Sequence, residues 1–383
     1  MSHNKLTYHV NTYNRFPVEF IKGNGAYLFD KEDKKYLDFL SGIAVTGFGH
    51  NKPELVNAAK NQIENLWHVS NLFESSPQEE LGKKLTDISK LDKVFFCNSG
   101  TEANEAAIKF ARKWGNGRST IIAAEGSFHG RTFGSLSASM QKKLWNGFEP
   151  LTPGFVSVPY NNIDAIKNKI DESTVAIMLE PIQGESGIII PDDNYLQGVR
   201  KICNDNNILM IVDEIQTGMG RTGKFFAYQH PDILPDIITI AKGIANGIPL
   251  GATICSDKVA SAITPGSHGS TFGGNPVAVA VANNVVDLLT GQTLNNINEI
   301  SNYLKEQLQT SNFTSIKEIR NKGLMFGLEL DKKIDAKEIA SALLKNKIIV
   351  GTAGNNVLRL LPPFIITKEQ VDFFIETLKI VLK

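Results

Sequence analysis

The chain of 383 residues has room for two or three packing units, and its 42% hydrophobic and 21% charged residues are an ordinary balance for a soluble globular protein. Lys plus Arg and Asp plus Glu each number 40, so the formal net charge is zero and no long-range field draws the chain to nucleic acid or an anionic membrane. Three dispersed cysteines (Cys97, Cys203, Cys255) and seven scattered histidines predict reduced thiols and no metal centre.

The N-terminal stretch MSHNKLTYHVNTYNRF lacks the apolar core of a signal peptide. No apolar run reaches the roughly 18 residues of a membrane span, so a cytoplasmic protein is expected. Within residues 17–40, GAYLFDKEDKKYLDF reads as a hairpin with a turn rich in Lys and Asp. Short apolar runs then alternate with helix-like segments. Lys93–Cys97, Ser119–Ala123, Val175–Leu179, Ile208–Val212 and Asp236–Ile240 read as buried strands, and Glu102–Trp114 and Tyr195–Asn206 as helices. This alternation predicts an α/β fold with a mainly parallel sheet covered on both faces. After about residue 276 come two helical stretches, Val277–Thr290 and Asn295–Thr310, then a mixed region with strands near Gly323–Leu330 and Val357–Leu361. The expected division is a large domain at 45–275 and a smaller α+β domain built from both termini, 1–44 and 276–383.

Three motifs carry chemistry. In NSGTEAN (Asn98–Asn104) a strand ends at Cys97 and a helix begins at about Thr101, so free amides and the helix dipole face any phosphate held there. Ser99 and Glu102 also have the S-x-x-E spacing of a capping box, which needs no ligand. In IVDEIQTGMGRTG (Ile211–Gly223), Asp213 ends an apolar strand, at the edge where such sheets bind ligands, or it serves as a structural cap. Gly218–Lys224 matches both GxGxxG and GxxxxGK. However, Phe225 stands where a P-loop needs Ser or Thr, and Pro231 and Pro235 interrupt the helix that either loop should open. The glycines suit a tight turn instead. In DIITIAKG (Asp236–Gly243), Lys242 follows an apolar strand. Burial there would lower its pKa and make it a Schiff-base amine, whereas a lysine that reaches solvent needs no such role. A phosphate anchor, an acid and an amine at one sheet edge are what pyridoxal phosphate requires.

Nine blocks in order carry a resemblance: SGIAVTGFGH, HVSNLF, NSGTEANEAAIKFAR, SFHGRT, LEPIQGESG, VDEIQTGMGRTG, IAKGIANGIPLGA, HGSTFGGNP and LRLLPPF. From about Arg15 to the C-terminus the sequence resembles the class III, fold-type I aminotransferases, most of all those acting on acetylornithine. The resemblance implies pyridoxal 5′-phosphate as cofactor and a homodimer with shared active sites. Lys242 would hold the cofactor and shuttle the proton, and Asp213 would pair with the ring nitrogen. Gln216 would bond the ring hydroxyl, with Glu214 in the same cofactor-binding stretch. Phe128 and Ile215 would sandwich the ring. Gly100 and Thr101 would hold the phosphate, helped by Thr271 of the partner subunit.

For substrate it implies Arg131 and Arg359 as carboxylate clamps, Glu185 as a movable cover for Arg359, and Ser270 as a contact across the interface. His129 is expected to be positional. Ala245-Asn246 departs from the family's usual glycines, a change that Asn tolerates because it adopts positive φ. The implied reaction moves the δ-amine of N2-acetyl-L-ornithine to 2-oxoglutarate, in arginine biosynthesis. The alternatives are another ω-amine specificity (ornithine, succinylornithine or 4-aminobutyrate), a nucleotide-dependent enzyme using Gly218–Lys224, and a non-catalytic binding protein of the same fold.

Overall fold

Apolar runs bounded by turn residues become strands where both faces can be covered. The computed structural model describes residues 8–383. In chain order the strands are β1 (Phe20–Asn24), β2 (Tyr27–Asp30), β3 (Lys35–Asp38), β4 (Lys93–Cys97), β5 (Thr120–Ala124), β6 (Phe155–Val158), β7 (Thr174–Leu179) and β8 (Leu209–Asp213). They continue with β9 (Ile237–Ile240), β10 (Gly251–Cys255), β11 (Ile316–Lys322), β12 (Met325–Leu330), β13 (Ile348–Ile349), β14 (Gly351–Ala353) and β15 (Val357–Leu360).

Seven strands form the main sheet, in the order β4-β10-β9-β8-β7-β5-β6. Strands β7 to β10 are buried along their whole length. The five strands expected from the sequence lie in this sheet, each within a residue or two of its anticipated bounds. Two others, β6 and β10, complete it. β10 runs antiparallel to both β4 and β9, while β9, β8, β7, β5 and β6 pair in parallel. The carboxyl ends of β4, β5, β7, β8 and β9 therefore share one edge.

Helix Gly100–Trp114 lies against that sheet on a face of small residues. Ala103, Ala106, Ala107 and Ala111 are fully buried, and Phe110 nearly so. The Thr253 hydroxyl reaches across to the Ala103 carbonyl at 2.8 Å, a close approach that larger side chains would forbid.

Strands β2 and β3 are the expected hairpin, and β3 is joined in parallel by β13 from the far end of the chain. A third sheet has the order β11-β12-β15-β14. Helix Pro276–Leu288 is largely buried and packs against helices Pro53–Asn65 and Ser76–Ser89. The chain then bends by 72° into helix Gly291–Thr310, and no single helix among the described residues is long and apolar enough to cross a membrane.

Candidate active site

The shared edge opens into a cavity of about 420 Å³, walled among others by Gly100, Thr101, Phe128, Asp213, Gln216 and Lys242. Asp213 is the last residue of β8 and pairs in register with Thr239 of β9; three residues later comes Lys242. Strand pairing thus brings the acid and the amine to one wall.

Asp213 is buried, and its two oxygens are both occupied. Oδ2 accepts from Asn104 Nδ2 at 2.8 Å and contacts His129 Nδ1 at 2.7 Å, while Oδ1 accepts from the Ile215 N–H at 3.0 Å. Asn104 is itself fixed: its Nδ2 also donates to the His129 carbonyl, and its Oδ1 accepts from the Thr239 hydroxyl, both at 2.7 Å. These contacts hold the carboxylate in one orientation and aim it. His129, expected to be positional, is thus in direct contact with Asp213.

Lys242 opens a tight 3₁₀ turn after β9, with φ of 46°. A left-handed conformation costs a residue with a side chain about 1–3 kcal/mol and clusters at functional sites. Burial drives the pKa of Lys242 down; Glu185 opposes that shift and the Arg359 guanidinium adds to it. More of the amine is therefore neutral, and nucleophilic, than in an exposed lysine. Asn246 caps the turn in the left-handed region, at φ of 46°, and its amide bonds the Phe48 N–H and the Gly49 carbonyl.

At the phosphate end, helix Gly100–Trp114 points its first amides into the cavity. Ser99 caps it by accepting from the Glu102 N–H at 3.3 Å, and the Glu102 carboxylate accepts from the Asn98 N–H at 2.5 Å. The reciprocal bond lands one residue earlier than a capping box would put it. The amides of Gly100 and Thr101 take no part in it, and Gly100 packs so closely under Ile215 that an added Cβ would sit 2.8 Å from its Cδ1. A helix start of this kind can hold an anion.

Glu185 lies on the cavity wall and Arg359 does not. Oε1 of Glu185 is 2.5 Å from Nη1 of the buried Arg359 and 3.5 Å from Gln216 Nε2. Burial works to raise the Glu185 pKa, but the guanidinium beside it wins and holds the carboxyl below its ordinary value. Arg131 is exposed at the rim, its guanidinium 5.4 Å from the centroid of the Phe128 ring.

Besides Arg359, three of the residues singled out from the sequence stand off the cavity wall. Glu214, expected among the cofactor contacts, lies off the cavity and is fully buried, accepting from the Thr217 hydroxyl at 2.5 Å and the Tyr228 N–H at 2.8 Å. Burial pushes its pKa up to about 7. The strand ends at Asp213, and beyond it the Glu214 side chain turns to the Thr217 hydroxyl and the Tyr228 N–H instead of the cavity. Ser270 and Thr271 line a separate hollow with Phe95, Glu102, Glu105 and His268, outside the cavity of their own chain. The Gly218–Gly223 loop makes consecutive turns closed by Arg221 N–H to Gly218 O and Gly223 N–H to Gly220 O, and opens no helix.

The class III aminotransferase family model matches residues 8–382. The chain belongs to the class III aminotransferases. It is 46% identical over 382 residues to an acetylornithine aminotransferase of Aquifex aeolicus, covering 98% of this chain and 100% of that one. Among solved structures it resembles an ornithine aminotransferase of Toxoplasma gondii, described with pyridoxal phosphate at its active site, with a TM-score of 0.94 and 32% identity; the match covers 98% of this chain and 92% of that one. It also resembles the N-acetylornithine aminotransferase of Stenotrophomonas maltophilia, with a TM-score of 0.84 and 34% identity over 96% of each chain. The fold is that of a fold-type I transferase.

The cofactor of this class is pyridoxal 5′-phosphate, and the residues present fit it. An oriented carboxylate, an amine with lowered pKa and a helix start meet in one cavity, and Gln216 Oε1 is buried there without a partner. The aminotransferase site contains two members that reading by motif passed over, Asn104 and Glu180. Asn104 sits mid-helix, where Asn is a poor helix former and invites a second reason. Glu180 directly follows β7, at the same ligand-binding edge as Asp213.

Proposed function

We propose that the chain transfers the δ-amine of N2-acetyl-L-ornithine to 2-oxoglutarate, giving N-acetylglutamate 5-semialdehyde and L-glutamate, a step of arginine synthesis. Bound at this edge, pyridoxal phosphate supplies a reactive carbonyl and a ring that withdraws electrons from the substrate carbon. Asp213, oriented by Asn104 and His129, holds the proton on the ring nitrogen. Lys242 would hold the cofactor, and its amine is placed to move a proton at the substrate carbon. Gly100 and Thr101 would hold the phosphate, Gln216 the ring hydroxyl, and Phe128 and Ile215 would pack against the ring.

The observation that carries the substrate reading is the cover that Glu185 makes over Arg359. Glutamate has a carboxylate next to its reacting carbon and needs a guanidinium there. Acetylornithine reacts at its far amine and would leave that guanidinium buried without a counterion, a costly state. A carboxylate that swings on and off Arg359 serves both substrates. Arg131, exposed at the rim and bedded on Phe128, takes the carboxylate that both carry at a distance.

Support for the acetylated substrate comes from the names of the relatives. The relatives of known sequence at 46% identity include acetylornithine aminotransferases, while the structural matches titled as ornithine aminotransferases are 32–33% identical. Free ornithine is the second reading. Comparing kcat/KM for acetylated and free ornithine decides between them, and equal or better use of free ornithine would overturn the first.

The working unit is read as a homodimer in which the partner subunit's Thr271 and Ser270 complete the site. Trp67, Leu72, Phe73 and Phe272 are each more than 60% exposed. The segment that carries the first three is tied to the loop of Ser270 and Thr271 by Asn71 Nδ2 to Ser270 O at 3.1 Å and Asn275 Nδ2 to Trp67 O at 3.0 Å. A contiguous apolar surface of this kind favours association. The free, buried thiols of Cys97, Cys203 and Cys255 suit a reducing compartment such as the cytoplasm.

A further inference from the structure

Glu180 is a buried carboxylate with no ion pair among the described residues. Its Oε1 accepts from the Phe128 N–H at 2.9 Å and its Oε2 from the Gly184 N–H at 3.1 Å. Burying an uncompensated carboxylate is expensive, and a glutamine would fill the same space at lower cost. What glutamine cannot do is accept one N–H on each of its two terminal atoms. The position makes sense if both bonds are needed at once, and they reach two functional segments, the Phe128 loop and the turn that bears Glu185.

That turn is pinned at several other points. Ser186 Oγ donates to the Gly126 carbonyl at 2.5 Å and Gln183 Nε2 to the Glu125 carbonyl at 2.8 Å. The Gly354 N–H donates to the Glu185 carbonyl at 2.9 Å, and Arg359 Nη1 to the Gly184 carbonyl at 3.4 Å. Gly184 has no free space either, since an added Cβ would lie 2.3 Å from Gln216 Oε1. Backbone on both sides of Glu185 is fixed, while its side chain stays 30% exposed.

We propose that Glu180 is a positioning residue that locks the ring-stacking Phe128 and the Gly184–Glu185 turn into one unit, so that the cover over Arg359 opens by a side-chain swing on an immobile backbone. This rests on the reading of Glu185 given above. It explains how one cofactor seat serves two substrates: the charge beside the reacting carbon is switched without disturbing the ring. The groups that face Glu180 electrically include His129, which favours its charged form, Asp213, which opposes it, and the Lys242 amine and Tyr160 hydroxyl, which also feel its charge. Burial outweighs these and raises its pKa, so acidification puts a proton on one oxygen and weakens the bond that one of the two backbone N–H groups makes to it.

The test uses full-length holoenzyme and follows the two half-reactions separately by stopped-flow absorbance of the cofactor, with E180Q beside E185Q. E180Q is expected to lower the ratio of the acetylornithine to the glutamate half-reaction rate by about 5- to 30-fold, the scale of one buried donor left unsatisfied. It should also flatten the variation of that ratio with pH near neutrality. A uniform loss in both half-reactions, or none, while E185Q still shifts the ratio, would overturn the lock and leave the cover standing. No shift in E185Q would overturn the cover itself. Should E180Q fail to fold, S186A loosens the same turn without touching Glu180 and is expected to move the ratio in the same direction; an unchanged ratio there overturns the proposal.

Discussion

Glu185 forms part of the cavity wall and Arg359 lies behind it, their Oε1 and Nη1 atoms 2.5 Å apart. The pair is a switch only if the carboxylate's charge matters. E185Q keeps the shape and removes the charge, leaving a buried cation unneutralised whenever the ω-amine substrate is bound. The acetylornithine half-reaction is expected to slow by roughly 30-fold or more, with the glutamate half-reaction unchanged or faster. Single-turnover rates with each amino donor measure this, and equal effects on both would remove the switch.

Lys242 has no substitute in the cavity, since no other lysine lines it. K242A is expected to lower kcat by about 10²–10⁴-fold, and borohydride should no longer fix the cofactor to the peptide containing position 242. A variant that keeps a tenth of the activity would shift the amine's role elsewhere.

Glu214 predicts a pH dependence of stability. Its folded pKa is raised from the usual 4.5 to about 7, with burial as the main cause. Between those values the folded chain keeps a proton that the unfolded chain has lost, so this group's contribution is fully present below pH 4.5 and lost as pH rises through 7. E214Q mimics the protonated carboxyl and does not titrate. Over that window its unfolding free energy should gain on the wild type by up to about 3 kcal/mol. Urea unfolding at pH 5 and pH 8 measures the difference, and parallel pH profiles would show that Glu214 does not titrate in this way.

Trp67 and Phe272 test the assembly. Replacing either with Asp puts a charge in the exposed apolar surface and should weaken self-association by roughly 30-fold or more. Sedimentation at several concentrations reports the association. Activity per chain should fall in parallel, because Ser270 and Thr271 stand outside their own chain's cavity. Full activity in a monomer would mean that the site is complete without a partner.

The parallel core and the meeting of an acid and an amine at its edge were legible because both follow from local pattern. An apolar run marks a buried strand, and the residue just past it falls at the ligand-binding edge, which singles out Asp213 and Lys242. Strand direction is not written in such a run, so the reversal of β10 could not be read from it. Adjacency in the sequence is a poor guide at Glu214, where the strand has ended at Asp213 and the next side chain turns away from the cavity. Asn104 and Glu180 were hidden for a different reason. Each acts by bonding to groups distant in the chain, 109 residues away for Asn104 and Asp213 and 52 for Glu180 and Phe128, and no local spacing encodes that.

Reversal of β10 also bears on how the chain comes off the ribosome. Among the described residues β4 has β10 as its sole neighbour in the ladder, so the first strand of the main sheet to be synthesised waits for the last. A nascent chain that stops short of residue 251 leaves β4 and one side of β9 with open edges, and such edges invite pairing with other chains. Truncation products ending between 100 and 250 are therefore expected to be sticky rather than inert, and a two-piece version of the enzyme should divide the chain after residue 255.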